Sequence, residues 1–199
     1  MVEMNERDRA ATERRLKDAA VLIWSKKGFD GASVKTVSEA AGVNVSLINR
    51  YFGGKDGLLL TLVKDTIERK QEGRLPYPAQ DSLRAEVLHY LRFRYEADRA
   101  DEGLIRVIIS KIIVDQSFRE AALESLTYAA DQNFMGRLKA LQTSGKIRET
   151  ADLEMLFRQV GFISFSAIFT EGIILEKSAE DTDLALQTAA NMIQQAFGT

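Results

Sequence analysis

The sequence predicts an all-α protein. Three observations carry that reading: apolar residues recur at three- and four-residue spacing along most of the chain, no stretch alternates strictly every second residue, and the 199 residues include only two prolines. Serine, asparagine or aspartate stands before several apolar runs and glycine after them, as helix starts and stops require. Nine helices and no sheet are expected.

The first helix spans about Arg7 to Lys27, with Ala11, Leu16, Ala19, Ala20, Ile23 and Trp24 on its inner face. Ser33 to Lys55, SVKTVSEAAGVNVSLINRYFGGK, then reads as a helix, a three-residue turn containing a glycine, and a second short helix. Ser33 can accept a hydrogen bond from a free N–H of the first turn, and Val34, Val37, Ala40 and Ala41 follow at helical spacing. Gly42 stands where a helix ends by turning into left-handed φ, which costs glycine little. Asn44 can cap the second helix, Val45 to about Phe52. At about 100° per residue, Val45, Ile48 and Phe52 share an inward stripe. Ser46, Asn49 and Arg50 share the opposite one, with Leu47 and Tyr51 on the flanks.

Two helices joined so tightly cross steeply, and the second projects one face outward. A DNA major groove admits such a helix. Asparagine pairs with adenine and arginine with guanine, each at two points, so the polar stripe suits base and phosphate contacts. Lys55 opens the next helix, where free backbone N–H groups favour a phosphate, and Lys35 adds a flanking cation.

Gly28-Phe29-Asp30-Gly31-Ala32-Ser33, Glu39-Ala40-Ala41-Gly42-Val43 and Tyr51-Phe52-Gly53-Gly54-Lys55 with Leu58-Leu59 together resemble the DNA-binding domain of the TetR/AcrR family of bacterial transcriptional repressors. The resemblance covers roughly residues 10 to 65. It implies that Lys35, Ser46, Leu47, Asn49, Tyr51 and Lys55 face DNA, and it places Val45 there too, contrary to the helical wheel. Ser33, Thr36 and Arg50 complete the expected DNA-facing set. Asn49 stands where the family usually has a tyrosine that touches the backbone. The shorter amide either reads a base or gives up a phosphate contact.

A fourth helix, about Lys55 to Glu72, carries Leu58, Leu59, Leu62 and Ile67. Pro76 and Pro78 then bracket Tyr77 in a loop at 73–79. The expected organisation is a three-helix helix-turn-helix DNA-binding domain at 1–54 and a larger helical effector-binding and dimerisation domain at 55–199, with helix four as the connection. Further helices are expected at Ser82–Ala97, Asp101–Val114, Phe118–Leu141, Asp152–Lys177 and Asp181–Phe197. The stretch Glu154–Leu175 is apolar on nearly every side, and a helix apolar all round must be buried all round. Phe165 and Phe169, with Leu186, Ala189, Ala190, Ile193 and Phe197 of the last helix, are expected to form one subunit's half of a four-helix homodimer interface. The family resemblance implies the same arrangement.

Little else suggests chemistry. Cysteine is absent and His89 is the sole histidine, so thiolate and multi-histidine metal sites are excluded within one chain. Glu86-x-x-His89 has the spacing of a di-iron half-site but occurs once, and such sites need the motif on two helices. No phosphate loop or nucleophile elbow appears, so no enzyme activity, metal or cofactor is expected. Net charge is −2, slightly positive over residues 1–72 and negative beyond, so DNA binding must rest on local cations. The longest uncharged run of the most apolar helix, residues 159–170, is too short to span a bilayer, and the start is charged, unlike a signal peptide. A cytoplasmic protein is expected.

The reading is a dimeric repressor that binds a near-palindromic DNA operator through helix 45–52 and is released by a small apolar or aromatic effector. His89, Phe93, Tyr128, Asn133, Phe134, Arg158 and Phe162, polar or aromatic residues on otherwise apolar faces, are the candidate effector contacts. Two rivals are a non-regulatory all-α carrier of hydrophobic ligands and, more remotely, an all-α enzyme using Glu96, Asp98, Asp101 and Glu102 with a metal.

Overall fold

Short polar side chains begin many of the helices. Ser33, Ser82, Asp131, Asp152 and Ser178 each accept a hydrogen bond from a backbone N–H of the turn that follows, which would otherwise lack a partner. The computed structural model describes residues 2–71, 74–125 and 131–199. Among these residues the elements are α1 (Val2–Lys27), α2 (Val34–Ala41), α3 (Ser46–Phe52), α4 (Lys55–Gln71) and α5 (Leu83–Ala100). They continue with α6 (Glu102–Val114), α7 (Gln116–Ser125), α8 (Gln132–Thr143), α9 (Leu153–Ser166) and α10 (Ala179–Phe197). The fold is all-α, with an isolated β-bridge between Ile147 and Gly198 rather than a strand.

Two expected helices differ in form. The span Phe118–Leu141 is not one helix: α7 and α8 each have their own start. Asp115 caps α7 by accepting from the Phe118 N–H at 2.9 Å, and Asp131 caps α8 by accepting from the N–H groups of Asn133 and Phe134. A capping aspartate favours beginning a helix over continuing one. The expected helix Asp152–Lys177 runs as α9 and then widens into a π-helix over Ala167–Ile174, where the Leu175 N–H reaches back five residues to the Thr170 carbonyl at 2.9 Å.

The chain forms two compact units, Met1–Lys70 with Gly103–Thr127, and Gln71–Glu102 with Tyr128–Thr199. This differs from a division after residue 54, because α4, α6 and α7 all pack with the helix-turn-helix. The cause is apolar burial. Leu104 and Val107 of α6 and Phe118 and Ala122 of α7 share one core with Leu16, Trp24, Val37, Ile48, Leu58 and Leu62. Fully burying a leucine or phenylalanine side chain is worth about 1.5–3 kcal/mol, so these helices belong energetically with the first unit.

The second unit is built around α5, which packs against α8, α9, the π-helix and α10. Leu83, Val87, Leu91 and Tyr95 are buried along it. Fully buried Glu86 is paired with Arg137 at 3.1 Å and accepts the Gln80 N–H at 2.8 Å, so its carboxylate is not left bare.

Candidate nucleic-acid interface

The turn between α2 and α3 is set by residues of its own segment. Gly42 ends α2 with φ 64, and the Val43 N–H bonds the Ser38 carbonyl at 3.0 Å. Asn44 Oδ1 then accepts from the Ser46 N–H at 2.9 Å and the Ser46 hydroxyl at 2.8 Å. α3 therefore starts at Ser46, one residue later than expected.

Ile48 is fully buried and anchors α3 to the core, with Leu47, Tyr51 and Phe52 half-buried around it. Burial thus follows an i, i+1, i+4, i+5 pattern, and the opposite face is Val45, Ser46, Asn49 and Arg50, all exposed. At 42% exposure Val45 lies outside, which corrects its inward assignment. The wheel set the centre of the buried stripe on Val45 and Phe52, whereas the core sets it between Ile48 and Tyr51. Ser33 and Lys35 are also exposed and Thr36 is half-buried. Lys35 lies 3.9 Å from Glu39 in a loose surface pair that binds it little.

Lys55 is not a free lysine. Its Nζ donates to the Phe29 carbonyl at 2.5 Å and sits 4.2 Å from the centre of the Phe29 ring. Burial lowers its pKa, against the pull of Asp30 and Asp56. The side chain therefore braces the lead-in loop against α4. Gly57 sets the other side of this junction, because a methyl group there would collide with the Phe52 carbonyl. Only glycine lets α4 begin so tightly behind α3.

Two contributors lie outside the motif. The Arg9 guanidinium of α1 is 5.1 Å from the Tyr51 ring, and Lys111 of α6 lies 3.2 Å from Asp56 at the start of α4. Neither had a local signal, since each meets its partner only through folding.

The family described as "Bacterial regulatory proteins, tetR family" matches residues 16–62, which run from the middle of α1 through the first half of α4 and contain this whole turn. In that segment the chain is similar to the tetR family.

The chain is 29% identical over 127 residues to "Probable HTH-type transcriptional regulator YttP" of Bacillus subtilis, covering 55% of this chain and 61% of that protein. It is 41% identical over 54 residues to the HTH-type transcriptional regulator BetI of Vibrio vulnificus, 27% of each. The chain thus spans less than two thirds of either relative. In fold it is similar to the fatty acid degradation regulator FadR of Bacillus halodurans, with TM-score 0.71 and 16% identity over 92% of this chain and 94% of that one. It is likewise similar to FadR of Bacillus subtilis in complex with stearoyl-CoA, with TM-score 0.68 and 18% identity over 90% and 96%.

The expected effector residues lie in different settings. Phe134 is fully buried and stacks on Tyr90 at 3.8 Å, which makes it core. His89 and Phe93 are half-buried on α5, and His89 Nδ1 lies 2.8 Å from the Ala85 carbonyl. Asn133 is exposed. Arg158 and Phe162 lie on the outside of α9, the guanidinium 5.5 Å from the ring. Tyr128 is outside the described residues. Two clefts, of about 530 and 360 Å³, are lined by other and mostly polar residues, among them Gln80, Glu86, Arg137 and Lys146 in the larger.

The expected dimer stripe is also corrected. Leu186, Ala190 and Ile193 are buried within the chain's own second unit, whose α5 and α10 pack together, so they are closed to a partner. Ala189 and Phe197 are half-buried, as is Phe169, whose ring stacks on that of Phe165 at 5.3 Å. The outward apolar residues include Phe162 at 49% and Phe165 at 52% exposure on α9, with Leu184 at 65% and Met192 at 64% on α10.

Among the described residues no helix is long and apolar enough to cross a membrane, and no three His, Cys, Asp or Glu residues gather as a metal site.

Proposed function

We propose that this chain is a ligand-responsive transcriptional regulator that binds an operator as a homodimer and blocks transcription until an effector releases it. The exposed face of α3, Val45-Ser46 and Asn49-Arg50 opposite buried Ile48, carries this reading, because it offers one helix with base-reading side chains to a major groove. Ser33, Lys35 and Thr36 at the start of α2 and Lys55 at the start of α4 flank it as phosphate contacts. Two copies joined through Phe162, Phe165, Leu184 and Met192 would place two such helices about 34–36 Å apart on a near-palindromic site. Covering those apolar side chains also removes a surface that would otherwise favour aggregation. The effector acts on the second unit. Because coupling between two sites is reciprocal, operator DNA must weaken effector binding by the same factor by which effector weakens DNA binding.

Fluorescence titration with duplex DNA flanking the chain's own gene tests the proposal. Selective, salt-sensitive binding at a stoichiometry of two chains per site is expected. Equal weak binding to all sequences would favour the carrier instead.

A further inference from the structure

Lys111 sits on α6, far along the chain from the helix-turn-helix, yet its side chain is 13% exposed and meets Asp56 of α4 at 3.2 Å. A second ion pair, 2.7 Å to Asp115, holds it from the other side. The Phe29 and Phe118 rings flank the ammonium at 4.9 and 5.8 Å. Asp115 cannot drift, because it also caps α7 through the Phe118 N–H and accepts the Ser117 hydroxyl at 2.8 Å. Burial opposes the Lys111 charge, but the hydrogen bonds to Asp115 and Asp56 outweigh it and raise the pKa, so the residue stays cationic.

We propose that Lys111 is a positioning residue of the DNA-binding site, acting by neutralising Asp56 at the phosphate-facing start of α4. The proposal rests on the DNA-binding reading above. Asp56 is 59% exposed in the first turn of α4, next to Lys55. A carboxylate there is stabilised by the helix N-terminus, but the same free N–H groups are what a DNA phosphate would use. Left unpaired, its charge would face the phosphate across a short, partly solvated gap. At an effective dielectric between about 20 and 80 and a gap of roughly 7 Å, that repulsion is worth on the order of a tenfold loss of affinity. Lys111 cancels it from behind without reaching DNA itself. α6 thereby contributes to a site whose other residues lie at or before residue 55.

The test titrates the full chain with the duplex flanking its own gene and with a scrambled duplex, at low and moderate salt. Lys111→Met should weaken binding to both by about tenfold, and the loss should shrink at higher salt as the carboxylate is screened. Adding Asp56→Asn to that variant should return affinity to within about twofold of the parent, and Lys111→Arg should match the parent. A merely structural clip would not be rescued by Asp56→Asn, since that change removes one more partner. Should Lys111→Met not fold, Lys111→Gln, which keeps the stem, takes its place. The proposal is overturned if loss of the lysine charge leaves affinity unchanged, or if Asp56→Asn fails to restore it. A parent that binds neither duplex overturns the DNA-binding reading, and this proposal with it.

Discussion

Helices α3 and α10 are both amphipathic, yet periodicity reads them unequally. On α3 the polar stripe Ser46, Asn49 and Arg50 is exposed, and the buried anchor is Ile48, as the pattern indicates. On α10 the apolar stripe Leu186, Ala190 and Ile193 is buried within its own unit, while Leu184 and Met192 on another side are left outside. A polar stripe identifies what meets water. An apolar stripe says only that something covers it, not whether the cover is the same chain or another. α3 has seven residues and one core to join, whereas the nineteen residues of α10 have more than one face to satisfy.

The sharpest way to break this comparison is to charge the two sides of α10 in turn. Ile193→Asp should bury an unpaired carboxylate at a cost on the order of 3–5 kcal/mol. Thermal melting followed by circular dichroism should show the second unit unfolded or strongly destabilised. Met192→Asp, on the exposed side, should keep its melting temperature within a few degrees yet sediment as a monomer and lose operator affinity. Identical behaviour of the two variants would show that the faces are wrongly divided.

On α3 the expected effect is smaller and selective. Arg50→Ala or Asn49→Ala should cost about 1–3 kcal/mol on the operator if the residue reads a base, with binding to random duplex unchanged. Equal losses on both duplexes would make that residue a positioning contact. Lys55→Ala should instead weaken all sequences alike and make the salt slope shallower by about one unit. Its melting temperature should fall as well, because the bond to the Phe29 carbonyl is lost. A loss confined to the operator would contradict that assignment. The smallest change is Ser33→Ala, which removes the 3.1 Å bond from the Thr36 N–H and should lower stability by about 1 kcal/mol in a denaturant titration.

Much of the candidate site was legible because its determinants are neighbours in the chain. Ser33, Gly42 and Asn44 act on backbone groups two to four residues away, and each does so in the structure. Val45 was misplaced by the wheel, since a wheel fixes only relative directions around a helix and the core fixes the absolute one. Effector contacts are harder to read from a sequence for a related reason. An aromatic on an apolar helix face has the same pattern whether it lines a cavity or, like Phe134 against Tyr90, fills the space where one would be. Lys111 could not be singled out either, as one lysine in an apolar helix gives no sign of the carboxylate it will meet.

The sequence by itself determined that the chain is helical, where α2 begins and ends, where α3 ends, and which side of α3 is polar. Those features follow from caps, a left-handed glycine and a helical period, forces that act within one or two turns. Only the tertiary structure decided that α6 and α7 join the helix-turn-helix core, that the α10 stripe is covered within its own unit, and that Lys111 answers Asp56. Apolar burial is non-directional and roughly proportional to area, so a stripe carries no address for its partner, and the choice among possible partners is made by the packing of the whole unit.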